Sequence, residues 1–171
     1  STLTSEGIYY QMHNTLSKPV NVSLTMANDS LLKEALKQEA AHPDSDLCME
    51  KITNYLDGYR KAYDYDSVFL VSSATSRYYN FNGMDRILIE GEAENEWYYD
   101  GLLHSEEEYS MNVDNDEVEG AGNAITLFVN CKIRDDAGEL LGVVGVGVQI
   151  DYLQGLLEEY YEEFGVNAYF I

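Results

Sequence analysis

The chain has 171 residues, 45% of them hydrophobic, which is enough for one domain with a real core and excludes a disordered tail. Ten basic against 31 acidic residues give a formal charge of −21, so a nucleic-acid backbone or an anionic membrane surface would be repelled over most of the surface. Cys48 and Cys131 are the only cysteines and have no metal-ligand spacing around them, which excludes a zinc site.

In chain order, Ile8, Met12, Leu16, Pro19, Val22 and Met26 recur at spacings of three and four and predict one long amphipathic helix, with Pro19 as a point of bending. Asn28-Asp29-Ser30 supplies a cap for a second helix whose apolar side is Leu31, Leu32, Ala35 and Leu36. Asp44-Ser45-Asp46 caps a third, with Ile52, Tyr55, Leu56, Tyr59 and Tyr63 on one face. The hydrophobic period then changes near Tyr65 from helical to extended, so residues 1 to 63 are expected to be mainly helical and the remainder a sheet with helices.

Val68-Phe69-Leu70-Val71 is apolar without alternation, the pattern of a central strand covered on both faces. Arg77-Tyr78-Tyr79-Asn80-Phe81 follows a short turn and ends at Asn82-Gly83, a turn signal, which together make a first hairpin. Glu90 to His104 reads as a helix around Trp97, Tyr98 and Leu102, and Tyr109 to Val113 as a further strand. Ile125 to Ile133 alternates with period two and turns at Asp135-Asp136-Ala137-Gly138. On the return strand Leu141, Val143, Gly145, Gly147 and Gln149 share one face. Two bare positions side by side mark a close approach to the sheet, by a packed helix or by a small ligand. Asp151 caps a last helix that Gly165 ends, and Val166 to Ile171 is an apolar strand. The abrupt ends read as those of a piece of a longer protein. The expected architecture is a single α+β domain, residues 1 to 171, of helices packed on an antiparallel sheet.

The chemistry-bearing patterns are few. His13, His42 and His104 lie in no nucleophile–base context, and Gly142 to Gly147 lies inside an alternating strand rather than between a strand and a helix, which rejects a phosphate cradle. Asp114-Asn115-Asp116-Glu117 opens like a calcium loop, but Val118 and Glu119 stand where a ligand and a glycine are required. No cofactor is implied. A disulfide between the cysteines stays open, while the apolar alternation around Cys131 favours a small core residue. The aromatics Tyr78-Tyr79, Trp97-Tyr98-Tyr99 and Tyr109 suit either the core or the walls of a small-molecule pocket, and Arg77 suits either a surface ion pair or a ligand carboxylate.

A long first helix, then Val68 to Val71 with Arg77-Tyr78-Tyr79, then Trp97-Tyr98-Tyr99, then Asp135 to Val148 with its D-x-x-G-x-x-x-G-V-x-G strand, resembles a Cache domain over nearly the whole chain. Cache domains are the PAS-like extracytoplasmic sensors of prokaryotic chemoreceptors, sensor histidine kinases and diguanylate cyclases. The resemblance implies a non-catalytic module outside the cytoplasm, anchored to the membrane through segments beyond this chain and able to dimerise through the first helix. It also implies a small-molecule ligand between the sheet and the tryptophan segment. Carried over, Trp97, Tyr98 and Tyr99 would line the pocket with Tyr79, Tyr109, Asp114 and Arg77 as neighbours. The amino-acid-binding subgroup has an arginine two positions before the tryptophan and an aspartate in the last glycine-rich strand; here those places hold Asn95 and Gly147. Two other readings stay open, a small enzyme using pocket carboxylates and a ligand-free dimerisation module.

Overall fold

The computed structural model describes residues 4–115 and 125–151, with positions 154, 155, 158, 159 and 162 beyond them. Three helices come first: α1 (Ser5–Ala27), α2 (Ser30–Ala41) and α3 (Asp46–Tyr63). Each start is fixed by a side chain that accepts from an otherwise orphaned backbone N–H: Thr4 from Gly7, Asp29 from Leu31 and Ser45 from Cys48. Asp29 has a second role, since its other carboxylate oxygen accepts from the Tyr55 hydroxyl at 2.8 Å and so ties the start of α2 to α3. α1 is continuous through the buried Pro19. α3 ends at Asp64, which takes the left-handed conformation (φ 57°) and turns the chain toward the sheet.

Six strands follow: β1 (Ser67–Ser72), β2 (Arg77–Asn80), β3 (Gly83–Ile87), β4 (Tyr109–Asn115), β5 (Ile125–Arg134) and β6 (Leu140–Gln149). They form one antiparallel sheet in the order β3-β2-β1-β6-β5-β4. The expected α+β arrangement is therefore present. The β5–β6 hairpin turns as its residues require: Asp135 Oδ1 accepts from the N–H groups of Ala137 and Glu139, each at 2.9 Å, and Gly138 supplies φ 83°. β3 was not foreseen beyond its Asn82-Gly83 turn, because an edge strand with exposed Met84, Asp85 and Ile87 lacks the alternation that burial imposes.

The span Glu90 to His104 is not one helix. It is a 3-10 turn (Ala93–Asn95), a single α-turn (Glu96–Tyr98) and a π-turn (Tyr99–Leu103), the last closed by the His104 N–H on the Tyr99 carbonyl at 2.9 Å. Tertiary burial of Tyr98, Tyr99 and Leu102 on one side overrides the regular 3.6-residue winding. The last helix expected from Asp151 falls largely outside the described residues; the positions described there are helical. The terminal strand and the loop residues 116 to 124 lie outside them too.

The sheet separates two cores. On one face Val22, Met26, Leu32, Leu36, Ile52 and Leu56 of the helices pack against Val68, Leu70, Tyr79, Val129, Cys131, Ile133, Val144 and Val146. On the other, Phe69, Val71, Tyr78 and Val143 pack under Tyr98, Tyr99, Leu102 and Leu88. β1 is buried at every position, as its unbroken apolar run predicts.

Both cysteines are free and buried. Burial pushes the Cys131 thiol up to about 12 from its ordinary 9.0, and burial followed by the nearby Glu39 raises Cys48, against a smaller opposing effect of Lys51. A thiol whose folded pKa is raised stabilises the fold below its unfolded value and loses that contribution as pH climbs through the interval up to the folded value, here 9 to about 12 for Cys131. Neither thiol should therefore react with an aromatic disulfide reagent at pH 8 in the native protein. Both should react at once in denaturant, and prompt labelling of the native protein would contradict their burial.

Candidate functional site

The face of the sheet away from α1–α3 follows from strand parity. The register pairs Ser67 with Gly147, Phe69 with Gly145 and Val71 with Val143 across β1 and β6, and Phe128 with Gly147, Asn130 with Gly145 and Lys132 with Val143 across β5 and β6. Since directly opposed residues share a face, this surface carries Ser67, Phe69, Tyr78, Phe128, Asn130, Lys132, Gly145 and Gly147, extended on β4 by Ser110, Asn112 and Asp114. The two glycines are required by what lies over them. A Cβ at Gly145 would sit 1.8 Å from the Val129 carbonyl oxygen and 2.8 Å from Phe69 Cζ; at Gly147 it would meet Thr126 at 2.8 Å and Phe128 and Ser67 at 3.0 Å. The close approach comes from within the sheet, from the Val129 carbonyl and the rings of Phe69 and Phe128, and not from a packed helix.

Over this surface sits the three-turn segment. The Trp97 ring meets Phe69 edge-on at 5.6 Å, Phe69 meets Phe128 edge-on at 6.0 Å, and Tyr78 stacks on Phe69 at 5.5 Å. The edge-to-face arrangement places positive ring edges against negative ring faces, which holds the cluster in one geometry. Tyr98 is fully covered, and that burial, followed by the influence of Tyr99, raises its hydroxyl well above the ordinary range. Tyr99 anchors the segment by donating to the Leu88 carbonyl at 3.2 Å. Trp97 and Phe128 are only half-buried, the rings of the group that also meet solvent.

Polar groups lie beneath the rings. The Asn130 amide donates to Asn112 Oδ1 at 2.7 Å and to Ser110 Oγ at 3.4 Å, committing its donor end to β4. Its Oδ1 is buried with no hydrogen-bond partner, and so is Ser67 Oγ. A buried polar atom left unpaired costs about 1–3 kcal/mol, so two on one face require an explanation. The cations of the face are engaged: Lys132 Nζ donates to the Ser105 carbonyl at 2.8 Å, and Arg86 lies 4.3 Å over the Tyr78 ring while paired with Asp85 at 2.8 Å. Among the described residues no cluster of three metal-ligating side chains occurs. Asp114 lies on this face at the β4 edge, and most of the acidic loop after it is outside the described residues.

Of the residues named from sequence, Trp97, Tyr98, Tyr99 and Asp114 thus fall on one side of the sheet. Three do not join them. Tyr79 points into the helix-side core, where its hydroxyl donates to Glu39 at 3.2 Å, and burial, then Glu39, raises its pKa to about 12. Tyr109 pairs with Cys131 and shares that opposite face, half exposed. Arg77 reaches across to the turn between α2 and α3, donating to the Pro43 carbonyl and to Asp44 at 2.9 Å. The aromatic places on the site face belong instead to Phe69, Tyr78 and Phe128. Adjacent Tyr78 and Tyr79 necessarily point opposite ways, and only the register shows which faces the site. Open surface grooves of about 540 Å³ beside Lys18, Asn21 and Tyr63, and of about 500 Å³ at His42 to Ser45, lie away from this face.

No protein-family model matches the chain. Solved structures do. The sensor domain of DcuS from E. coli matches with a TM-score of 0.58 and 14% identity, covering 86% of this chain and 97% of that one. The sensor domain of the V. cholerae histidine kinase DctB matches with a TM-score of 0.64 and 12% identity over 87% of this chain and 54% of its own. The ligand-binding domain of the Pseudomonas aeruginosa PAO1 amino-acid chemoreceptor PctC, in complex with GABA, gives 0.51 and 18%, covering 87% of this chain and 62% of that one. The chain thus spans nearly the whole DcuS domain but little more than half of the DctB domain. At these identities the likeness establishes the fold alone, helices packed on a six-stranded antiparallel sheet as in those domains.

Proposed function

We propose that this chain is the ligand-binding sensor domain of a membrane-anchored signal transducer, exposed outside the cytoplasm and without turnover of its own. A small organic molecule binds between the Gly145–Gly147 face and the Trp97-Tyr98-Tyr99 segment. The observation that carries this reading is the pairing of an aromatic cover with buried, unpartnered polar atoms on the sheet face beneath it. Lys132 and Arg86 are held by Ser105 and Asp85 rather than arranged as an acid–base pair, which supports binding over catalysis. The transmission route is built into the fold: α1 packs on β5 and β6, whose opposite surface is the site, so a shift of those strands on ligand binding reaches the first helix directly. Dimerisation through α1 and continuation into a membrane span complete the proposed receptor.

Trp97 is the one tryptophan of the 171 residues, so emission excited beyond the tyrosine absorption band reports on this segment. In a thermal-shift screen of small organic acids, amines, amino acids and heterocycles, a ligand at a hundred times its Kd adds about 2.7 kcal/mol, roughly 5–10 °C for a domain of this size. The same compound should move the Trp97 emission. Trp97→Ala should remove the thermal shift while leaving the circular dichroism unchanged; if it unfolds the domain instead, the ring is core and the site is misassigned.

A further inference from the structure

The buried part of the site face offers its ligand neutral acceptors, while Asp114 stands exposed on the edge strand β4 of the same face. Asn130 and Ser67 are 1% and 0% exposed, and they flank β6 at its two bare positions, Asn130 opposite Gly145 and Ser67 opposite Gly147. Two strand spacings together with the two-residue offset place their Cα atoms about 12 Å apart on one face. The Asn130 amide is oriented by Asn112 and Ser110, so the end it turns away from β4 is a carbonyl oxygen, an acceptor only. Ser67 Oγ, with no partner in the protein, can accept or donate.

A ligand carboxylate would meet Asn130 Oδ1 lone pair against lone pair, with both nearby cations already engaged. An ammonium at Asn130 would give up its hydration for neutral acceptors, since Asp114 lies four residues along β4 from Ser110, the residue opposite Asn130. Asn95, buried in the covering segment, donates its amide to the Ile89 carbonyl at 3.1 Å and leaves its own Oδ1 without a partner, one more neutral acceptor. An uncharged N–H or NH2 group suffers neither penalty. The rings of Phe69 and Phe128, which lie over Gly145 and Gly147, and the Trp97 ring must part to admit it and then supply apolar faces and edges around it. The cover that such a ligand must pass is the irregular part of the fold, ending in the π-turn at Tyr99–Leu103, a winding frequent at functional sites.

Resting on the sensor reading above, we infer that the site recognises an uncharged, planar ligand with an N–H donor edge, a primary carboxamide or an amino-substituted heterocycle, through Asn130 Oδ1 and Ser67 Oγ. Titration calorimetry of the whole chain against nicotinamide and adenine as uncharged probes, and succinate, propylamine and alanine as charged ones, tests it. An uncharged probe should bind and the charged ones should not. Asn130→Leu should weaken that binding tenfold or more, Ser67→Ala severalfold, and Asn130→Asp should shift preference toward propylamine by creating the missing counter-charge. Near-ultraviolet circular dichroism checks each fold, and Ser67→Ala, the smallest change, carries the test if an Asn130 variant does not fold. Unchanged affinity in the folded variants, or binding of succinate, propylamine or alanine in preference to the uncharged probes, overturns this ligand class and leaves the sensor function standing. Silence toward every probe, with no change in Trp97 emission, overturns the ligand class; the sensor function falls only if the wider screen is silent as well.

Discussion

Gly145→Val should cost the domain about 3 kcal/mol or more, over half of its stability if that lies near the low end of the ordinary range, about 5 kcal/mol. The reason lies in what the added Cβ meets. At 1.8 Å from the Val129 carbonyl oxygen it overlaps a backbone atom of the neighbouring strand, which cannot step aside without breaking the β5–β6 ladder, and at 2.8 Å it strikes the Phe69 ring. A flexible side chain could give way; a paired strand cannot. Urea denaturation should show the midpoint falling with the slope unchanged. Gly58→Ala is the matched comparison: Gly58 lies exposed within α3 with nothing within 4 Å of the new methyl, so relief of helix-interior glycine should stabilise by about 0.5–1 kcal/mol. If the two substitutions behave alike, the packing of Phe69 on the bare strand is not what the structure describes.

Glu39→Ala should destabilise by about 3 kcal/mol although the site lies on the other side of the sheet. Glu39 is fully buried in α2, and its carboxylate accepts from the Thr75 hydroxyl, 2.9 Å from each oxygen, and from Tyr79 at 3.2 Å. This network fastens α2 to the β1–β2 turn, and its removal leaves the Tyr79 hydroxyl buried without an acceptor. Tyr79→Phe removes one bond and its donor together, so its cost should be nearer 1 kcal/mol. A double-mutant cycle should then give a coupling of at least 0.5 kcal/mol between the two positions. Additive losses would show that Glu39 and Tyr79 act separately. The raised Tyr79 pKa adds a pH signature. Stability from this phenol is whole below its unfolded value near 10 and declines as pH rises from there toward about 12, and Tyr79→Phe should flatten that alkaline limb.

The sequence by itself determined what depends on near neighbours. Helix starts at Asp29 and Ser45 follow from one side chain reaching an N–H two or three residues on, and the Asp135–Gly138 turn from an aspartate and a left-handed glycine. The buried run of β1 and the alternation of β5 were legible because a strand's faces repeat every two residues. The glycines at 145 and 147 announced a close approach from their spacing alone. What the sequence left open was the partner in each long-range contact. Tyr79 and Tyr109 looked as suitable for the site as Trp97, yet a one-residue difference in parity sends them to the far side, and parity between strands is set by pairing rather than by either strand. Phe69 sits in an unbroken apolar run and Phe128 in an alternating strand, and only the register sets both against the same bare strand. The segment from Glu90 to His104 has helical composition, but burying Tyr98, Tyr99 and Leu102 against the sheet stabilises three unlike turns over one regular helix. Ser67 and Asn130 carried no local signal at all: a serine and an asparagine become acceptors awaiting a donor only when β1, β6 and β5 close over them and leave their oxygens buried without a partner.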